Sequence, residues 1–509
     1  MTIVIAIDAG TTGVRSLAID HEGTVITSSY REFTQYFPQP GWVEHDPDEI
    51  WDRVQDTLAD VCGALTEPIA AIGITNQRET ICVWDRTTHR SVCRAIVWQD
   101  RRTADRCAEL ERDGHLPLIR SKTGLVLDPY FSASKLEWLH TQGGVNLDST
   151  VAVGTIDSWL MYKLSGGTIH ATDPTNASRT MLYDIFRNEW DEELCELFGV
   201  PMEVLGTVMP SCGLFGTTAA TAACGAGIAI AGVAGDQQAA LFGQCCFEPG
   251  MSKNTYGTGS FVLMNTGTVA PAPAEGLLTT VAWQLPGSLT GSTEQIVTHY
   301  ALEGAIFVTG AAVQWLRDGL GIIHTSADVD TLASQVESTD DVYFVPAFAG
   351  LGSPHWDPYA RGVIVGLTRG TTSAHLARAT LESMAFQTRD VVDAMTAASG
   401  TPLAELRVDG GATASELMIS MVADQLGVDV VRTAAHELTA LGAAYLAGLA
   451  TGVWPSLQAL SDSWQVAQRV SPNPERGTTQ QRYRRWKQAV TRSAGWVESA
   501  RPETEDLTS

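Results

Sequence analysis

The sequence predicts an α/β protein with two sizeable domains and a ligand site, and three observations support this. The chain has 509 residues, enough for two sizeable domains. A short buried strand over residues 228–233 precedes Asp236, and open α/β sheets place ligand chemistry just past the carboxyl end of such a strand. Two turns rich in Gly and Thr, near residues 10 and 258, lie in opposite halves of the chain.

Composition and charge limit the classes of partner. The formal net charge is −25, so a nucleic acid or an anionic membrane surface would be repelled at long range. The longest apolar run, near residues 304–316, is too short to span a bilayer. The nine cysteines are odd in number and include no Cys-x-x-Cys pair, which indicates reduced thiols. We therefore expect a cytoplasmic protein that binds no nucleic acid and does not insert into a membrane.

The first Gly/Thr turn is predicted to be the tip of a β-hairpin. An apolar run over residues 3–7 leads to Asp8, and an alternating pattern over 14–20 returns as a second strand. The turn is not a Walker loop, because it has no Gly-Lys-Ser/Thr and leads into a strand. Asp8 can hold a hydrated Mg²⁺, and the groups that can donate to a phosphate are Thr11, Thr12 and Arg15. The alternative is that Asp8 and Thr11 only form the turn.

The second turn lies at the tip of a hairpin predicted over residues 253–265. Its Gly257-Thr258-Gly259 tip offers backbone N–H groups and a hydroxyl that can hold a phosphate. Asp236, about twenty residues earlier, is a candidate base and should be ionised at neutral pH, given an ordinary pKa of about 3.9. The alternative is a buried structural aspartate and an ordinary Gly-rich turn.

Other elements are predicted from caps and periodicity. A helix should begin after Asp46 as N-cap, with Pro47 at its first position and an apolar stripe at residues 50, 54, 58 and 61. In the second half we expect strands over 277–284 and 343–346 and a surface loop over 285–298. The further predicted helices cover residues 376–394, 415–426, 438–449 and a basic amphipathic segment near 482–492. The acidic tail after Arg501 is expected to be disordered.

Eight short motifs, taken in order, resemble those of the FGGY carbohydrate kinases, within the actin, hexokinase and heat-shock-chaperone superfamily. The resemblance runs over nearly the whole chain, and residues 408–412 look like the superfamily's adenosine motif. Each motif alone is weak, but their order and spacing are specific, and the resemblance is closest to the members that act on glycerol. The motifs are residues 8–15, 41–47, 74–80, 97–99, 128–131, 235–238, 254–259 and 409–411.

The resemblance implies an α/β fold of two ribonuclease-H-like (actin-like ATPase) domains with a ligand cleft between them. Residues 1–247 would form the domain that binds glycerol and phosphate, and residues 248–509 the domain that binds the nucleotide. The implied activity is ATP-dependent phosphorylation of glycerol to sn-glycerol 3-phosphate, with ATP, Mg²⁺ and Asp236 as general base. Oligomers are common in the family, so we expect a homodimer or homotetramer.

The resemblance also assigns site residues. Glycerol would contact Arg78, Glu79, Trp98, Tyr130, Asp236, Gln237 and Phe261. The nucleotide would contact Thr11, Thr12, Arg15, Thr258, Gly310, Gln314 and Gly411, and the metal would lie near Asp8 and Asp236. The residue types suit this chemistry, because a guanidinium beside a carboxylate can donate to and accept from one hydroxyl, while aromatic rings can cover a carbon face. The alternatives are a surface ion pair at residues 78–79 and core packing for the aromatic rings.

Some positions depart from the family, and other functions stay open. Family members often have Ser at Gly13 and Asn at Ser415, so neither residue joins the predicted site. Some bacterial members are inhibited by fructose 1,6-bisphosphate at a Gly-Gly-Thr-Arg loop, which here reads as residues 222–228 without Arg. We therefore predict insensitivity to this compound. The alternatives in function are a kinase for another polyol or sugar, and a non-enzymatic actin-like nucleotide switch.

Overall fold

The structure is a computed structural model, and it describes residues 2–435, 437–473 and 479–497. The predicted acidic tail lies outside the described residues. The first half contains strands β1 (Ile3–Ala9), β2 (Gly13–Ile19), β3 (Val25–Glu32), β4 (Glu44–His45), β5 (Ile69–Asn76), β6 (Ile81–Asp85), β7 (Ala95–Ile96), β8 (Val151–Thr155), β9 (Ala171–Thr172), β10 (Tyr183–Asp184), β11 (Glu189–Trp190), β12 (Thr207–Val208), β13 (Cys212–Thr217) and β14 (Ala229–Gly235). The second half contains β15 (Met251–Tyr256), β16 (Ser260–Gly267), β17 (Leu278–Pro286), β18 (Ile296–Ile306), β19 (Tyr343–Val345), β20 (Val363–Val365), β21 (Glu405–Asp409), β22 (Val430–Thr433) and β23 (Val466–Val470).

The helices cover the sheets, and no described helix is both long enough and apolar enough to cross a bilayer. In the first half they are α1 (Pro47–Gly63), α2 (Ala104–Arg112), α3 (Leu116–Thr123), α4 (Ser132–Thr141), α5 (Ile156–Leu164), α6 (Pro174–Ala177), α7 (Glu192–Leu197) and α8 (Asp236–Gly243). In the second half they are α9 (Gly287–Thr290), α10 (Gly310–Asp318), α11 (Asp328–Ala333), α12 (Ser373–Ser399), α13 (Glu416–Leu426), α14 (Leu438–Thr451), α15 (Leu457–Ser463) and α16 (Thr479–Ser493).

Two large mixed sheets organise the chain. The first has the order β13-β14-β5-β1-β2-β3, and the second has the order β17-β18-β16-β15-β21-β22-β23. From β3 to β13, successive strands pair antiparallel, antiparallel, parallel, parallel and antiparallel. From β18 to β23 the same five pairings recur in the same order. The molecule therefore contains one sheet topology twice, as two similar domains require. The domain boundary at residue 247 stays a prediction.

Helix α8 lies between the two sheets, and α14 packs against α8 and the first sheet. Phe242 of α8 packs edge-on against Trp283 of β17, with 5.1 Å between ring centroids. Helix α14 belongs to the second half, yet it packs against β5, β14 and β1 of the first sheet. Small residues permit this approach, since a Cβ atom on Gly73 would lie 2.1 Å from the Ala443 carbonyl oxygen. The helix predicted over 438–449 is confirmed, and its neighbour is the sheet of the other half.

Most predicted elements are present with shifted ends. Asp46 caps α1, accepting hydrogen bonds from the backbone N–H groups of Asp48 and Glu49, and the predicted apolar stripe is buried. The predicted helix over 376–394 extends over 373–399, with a capping box at its start. The predicted surface loop over 285–298 is wrong in extent. Strand β17 continues to Pro286 and β18 begins at Ile296, because the two strands form a long antiparallel ladder.

Candidate functional site

Two adjacent parallel strands of the first sheet bring the site together. Strand β14 runs beside β5, with Gly235 opposite Asn76, so their carboxyl ends adjoin. Asp236 follows β14 and is the first residue of α8, and Arg78 follows β5. As a result, Arg78 Nε lies 3.1 Å from Asp236 Oδ1. Glu79, next in the chain, has a φ of 62°, and strained backbone of this kind often accompanies functional sites.

A network of four buried charges surrounds this contact. Arg78 contacts Glu303 at 2.5 Å, and Arg179 contacts Glu79 at 2.6 Å and Glu303 at 3.0 Å. All four side chains are at most 2% exposed. The alternative of a surface ion pair at Arg78 and Glu79 is therefore wrong. Glu303 comes from β18 of the second sheet, so the network also joins the two halves.

The charges in this network shift one another's pKa values. Desolvation raises the pKa of Glu303, but Arg179 and Arg78 outweigh it and hold that pKa at about 2. For Glu79 desolvation prevails, and its pKa is raised despite the same two cations. Asp236 behaves like Glu79, since desolvation raises its pKa against the attraction of Arg78. The Asp236 pKa therefore lies above the ordinary value expected from the sequence, because the sequence does not indicate how strongly its surroundings desolvate it.

Sequence patterns do not identify Arg179 and Glu303 as site residues. Arg179 follows the short helix α6, and its partners are 100 and 124 residues away in the chain. Glu303 carried a usable signal, because it is the one acidic residue within the otherwise uncharged strand β18. A charge in a buried strand needs a buried partner. Nothing in the sequence, however, indicated which cation would supply it.

Aromatic residues line one side of this network. Trp98 and Tyr130 form an edge-to-face pair with 5.6 Å between centroids, and Arg78 donates to the Tyr130 hydroxyl at 3.4 Å. Trp98 Nε1 donates to the Thr11 hydroxyl at 3.0 Å, which connects the aromatic pair to the first hairpin. Phe261 lies on β16, and within the described chain no ring contact joins it to Trp98 or Tyr130.

The first hairpin presents a mixed set of charges. Desolvation and the nearby Asp236 raise the pKa of Asp8 to about 7, with Arg15 opposing and Glu437 adding to the rise. Arg15 is ion-paired with Glu437, at the start of α14, a partner that the sequence did not indicate. Thr12 is exposed at the turn. The hairpin itself is confirmed, since β1 and β2 pair from Asp8 with Arg15 back to Val4 with Ile19.

A cavity of about 450 Å³ lies beside the second hairpin. Four predicted nucleotide-binding residues line it, together with Ser415: Thr258, Gly310, Gln314 and Gly411. Gly310 is required by sterics, because a Cβ there would lie 2.5 Å from the Gly257 carbonyl oxygen. The other three predicted residues, Thr11, Thr12 and Arg15, belong to the first hairpin and do not line this cavity. Gln237, predicted beside glycerol, accepts a hydrogen bond from the buried Lys253.

Asp8 and Asp236 suit a metal ion that is held mainly by the phosphates of a bound substrate. In the described parts of the chain, no group of three or more His, Cys, Asp or Glu side chains could hold a metal ion. Asp236 is close enough to Asp8 to raise the pKa of the Asp8 carboxyl. Mg²⁺ in phosphoryl-transfer sites takes one or two carboxylates, with substrate phosphates and waters completing its shell. The pair fits such an ion, and does not fit an all-protein cage.

Comparisons with known proteins define the class. Residues 3–243 match the N-terminal domain of the FGGY family of carbohydrate kinases, and residues 252–451 match the C-terminal domain of that family. The chain belongs to the FGGY family of carbohydrate kinases.

Individual relatives and solved structures show which members of the family the chain is similar to. The glycerol kinase of Bordetella parapertussis is 52% identical, with 98% of each chain covered. The glycerol kinase of Trichlorobacter lovleyi is 53% identical, over 98% of this chain and 100% of its own. The crystal structure of Plasmodium falciparum glycerol kinase with ADP has a TM-score of 0.92 at 34% identity, covering 97% of this chain and 98% of that one. A gluconate kinase from Lactobacillus acidophilus has a TM-score of 0.86 at 22% identity, which shows the fold alone.

Proposed function

We propose that the protein transfers the γ-phosphoryl group of ATP to glycerol, giving sn-glycerol 3-phosphate and ADP. The observation that carries this proposal is the Arg78–Asp236 contact of 3.1 Å beside the buried Glu79 and the Trp98–Tyr130 pair. A small triol needs charged groups that each bind its hydroxyls and an apolar wall for its carbons. Glycerol kinases at about half identity over the full length support the same substrate.

Asp236 is the proposed general base. Its side chain keeps 32% of its surface exposed, so it can reach a substrate in the cleft. Its raised pKa makes the carboxylate a better proton acceptor than an ordinary aspartate. In the proposed step, the hydroxyl oxygen bonds to the γ-phosphorus as the bond to the bridging oxygen of ADP breaks, and the hydroxyl proton passes to Asp236.

The remaining predicted residues position the nucleotide. Thr258, Gly310, Gln314 and Gly411 would hold ATP in the cavity of the second domain, and the first hairpin would donate from Thr11, Thr12 and Arg15. Gln237 and Phe261 would complete the glycerol side. Asp8 and Asp236 would hold Mg²⁺, which neutralises the phosphate charge when bound. The protein is proposed to be cytoplasmic and to form a homodimer or homotetramer.

A coupled assay of ADP release tests the proposal. We expect rapid turnover with glycerol and little turnover with xylulose, gluconate or ribulose. The Asp236→Asn variant gives the background rate of contaminating enzymes. A preference for another polyol would indicate a kinase of the same family with a different substrate, and turnover that is independent of any polyol would indicate a nucleotide switch.

A further inference from the structure

Tyr30 lies directly against Gly13 at the first hairpin. Strands β2 and β3 pair with Arg15 opposite Tyr30 and Gly13 opposite Glu32, so Tyr30 is diagonal to Gly13 on the same face. A Cβ atom built on Gly13 would lie 2.5 Å from the Tyr30 hydroxyl oxygen and 2.6 Å from ring atoms Cε2 and Cζ. Real atoms do not approach this closely, so the phenol occupies the space that a side chain at residue 13 would take.

The surroundings of Tyr30 belong to the proposed phosphate site. The guanidinium carbon of Arg15 lies 5.3 Å from the centroid of the Tyr30 ring. Arg15 in turn is paired with Glu437 and lowers the pKa of Asp8, the carboxylate proposed to hold Mg²⁺. The Tyr30 ring therefore lies on the same face of the sheet as the charges that would surround the nucleotide phosphates.

The Tyr30 hydroxyl is available to a ligand. Tyr30 is 40% exposed, and across the described ranges no side chain or backbone group makes a hydrogen bond with its hydroxyl. Phosphates bound by a protein of net charge −25 need local donors. The first hairpin offers few such donors, because residue 13 has no side chain and the Arg15 charge is partly neutralised by Glu437.

We infer that Tyr30 is a nucleotide-binding residue whose hydroxyl donates to an ATP phosphate beside Thr11, Thr12 and Arg15. It takes the place that a hydroxyl-bearing side chain at residue 13 would fill. This inference rests on the proposed function, because it assumes that the first hairpin faces the terminal phosphates of ATP.

The Tyr30→Phe variant tests the hydroxyl alone, since it keeps the ring beneath Arg15. A hydrogen bond to a charged group is stronger than one between neutral groups, and the partial exposure of Tyr30 weakens it. We therefore expect KM for ATP to rise about fivefold to twentyfold, with KM for glycerol within about twofold of wild type. Tyr359→Phe is the matched control, because Tyr359 is 46% exposed and lies in the other half of the chain. It should change neither KM.

Calorimetry separates phosphate binding from a general structural effect. Tyr30→Phe should weaken binding of a nonhydrolysable ATP analogue and leave AMP binding unchanged, because AMP lacks the terminal phosphates. A loss that is equal for both nucleotides would overturn the inference, as would an ATP KM within twofold of wild type. If the wild-type protein did not phosphorylate glycerol, the proposed function would fail while this binding comparison still decided the role of Tyr30.

A rescue experiment tests the spatial claim. Tyr30→Ala removes both the ring and the hydroxyl and vacates the space above Gly13. Adding Gly13→Ser to that variant should recover a large part of the lost ATP affinity, because a serine hydroxyl would enter the vacated space. Gly13→Ser alone should weaken ATP binding, since the new Cβ must displace the phenol. A double variant that folds normally but recovers no affinity would contradict the replacement of one hydroxyl by the other.

Discussion

At the scale of single residues, the environment of Asp236 is set by two opposed effects. Desolvation raises its pKa, and the Arg78 guanidinium at 3.1 Å acts against that rise. A carboxylate in this position stays able to accept a proton and gains proton affinity over an exposed aspartate. The position of this residue could be predicted, because a strand followed by Gly-Asp is a local signal. Its pKa could not, since that depends on Arg78 and on the walls of the cleft.

The first prediction concerns the base. Asp236→Asn keeps the size of the side chain but removes the proton acceptor, so kcat should fall by about 10²- to 10⁴-fold. Binding of a nonhydrolysable ATP analogue, measured by calorimetry, should change little. Asp105→Asn on the exposed surface of α2 is the matched control and should keep full activity. If Asp236→Asn retained more than about a tenth of the wild-type kcat, the assigned role would be wrong.

The second prediction concerns Glu303. Its folded pKa of about 2 lies below the ordinary value of 4.5, so its charge stabilises the folded state above pH 4.5. That stabilisation, about 3 kcal/mol at most, is lost as the pH falls toward 2. Glu303→Gln leaves Arg78 and Arg179 without their shared partner and should lower the free energy of unfolding by about 3–5 kcal/mol at pH 7.

Chemical denaturation between pH 7 and pH 3 measures this difference. The gap between wild type and Glu303→Gln should be constant down to about pH 5 and then narrow, because Glu303 of the unfolded wild-type chain begins to bind a proton while the folded carboxylate stays ionised until about pH 2. Glu189→Gln removes an exposed partner of Arg187 and should change stability little at any pH. A gap that did not vary with pH would show that the Glu303 carboxylate is not held ionised by its two arginines.

At the scale of elements, structure that depends on adjacent residues could be predicted from the sequence. Structure that depends on contacts between distant residues could not. The start of α1 and the hairpin β1–β2 could be predicted, because an N-cap with proline and a Gly/Thr turn depend on adjacent residues. The stretch 285–298 was predicted to be a loop because it is rich in Gly, Ser and Thr. The two ends of this stretch belong to strands, because β17 and β18 pair with each other. Arg179 joins the site for a similar reason, through contacts distant in sequence.

The third prediction concerns the loop between β13 and β14. Gln55 of α1 holds it, donating to the Thr221 carbonyl at 2.7 Å and accepting from the Ala223 N–H at 3.0 Å. Residues 218–228 carry no charged side chain, and a sugar bisphosphate needs charge-assisted donors to leave water. We expect no inhibition by fructose 1,6-bisphosphate up to millimolar concentration in the kinase assay. A nonhydrolysable ATP analogue serves as a positive control for inhibition. Saturable inhibition by the bisphosphate would show that cations from elsewhere build a site.

At the scale of the whole molecule, ionic contacts join the two halves, each of which contains a sheet of the same topology. Glu303 of the second sheet contacts Arg78 and Arg179 of the first half, and Glu437 contacts Arg15. The two Gly/Thr hairpins lie at the same position of the repeated topology, one in each sheet. The repeat could be anticipated from the two turns, but the ionic contacts across the cleft could not.

The fourth prediction is closure of the domains on ligands about a hinge near residues 247–251. Glycerol and nucleotide would each contact both halves, so binding both should favour a more compact form. Small-angle scattering with glycerol and a nonhydrolysable ATP analogue should give a smaller radius of gyration than the free protein. Glycerol with AMP should produce a smaller change, because AMP lacks the phosphates that bridge the hairpins. An unchanged radius with both full ligands would argue against closure.

The placement of α14 has a consequence for the independence of the two halves. Strands β22 and β23 both belong to the second sheet. Helix α14, which lies between them in the chain, packs on the first sheet. A fragment that ended at residue 247 would leave that face of its sheet bare, and glycines such as Gly73 offer no side chains to cover it. Neither half is thus a self-sufficient module. A gene cut at the sequence-predicted boundary should yield insoluble pieces, and activity should return only when both are produced together.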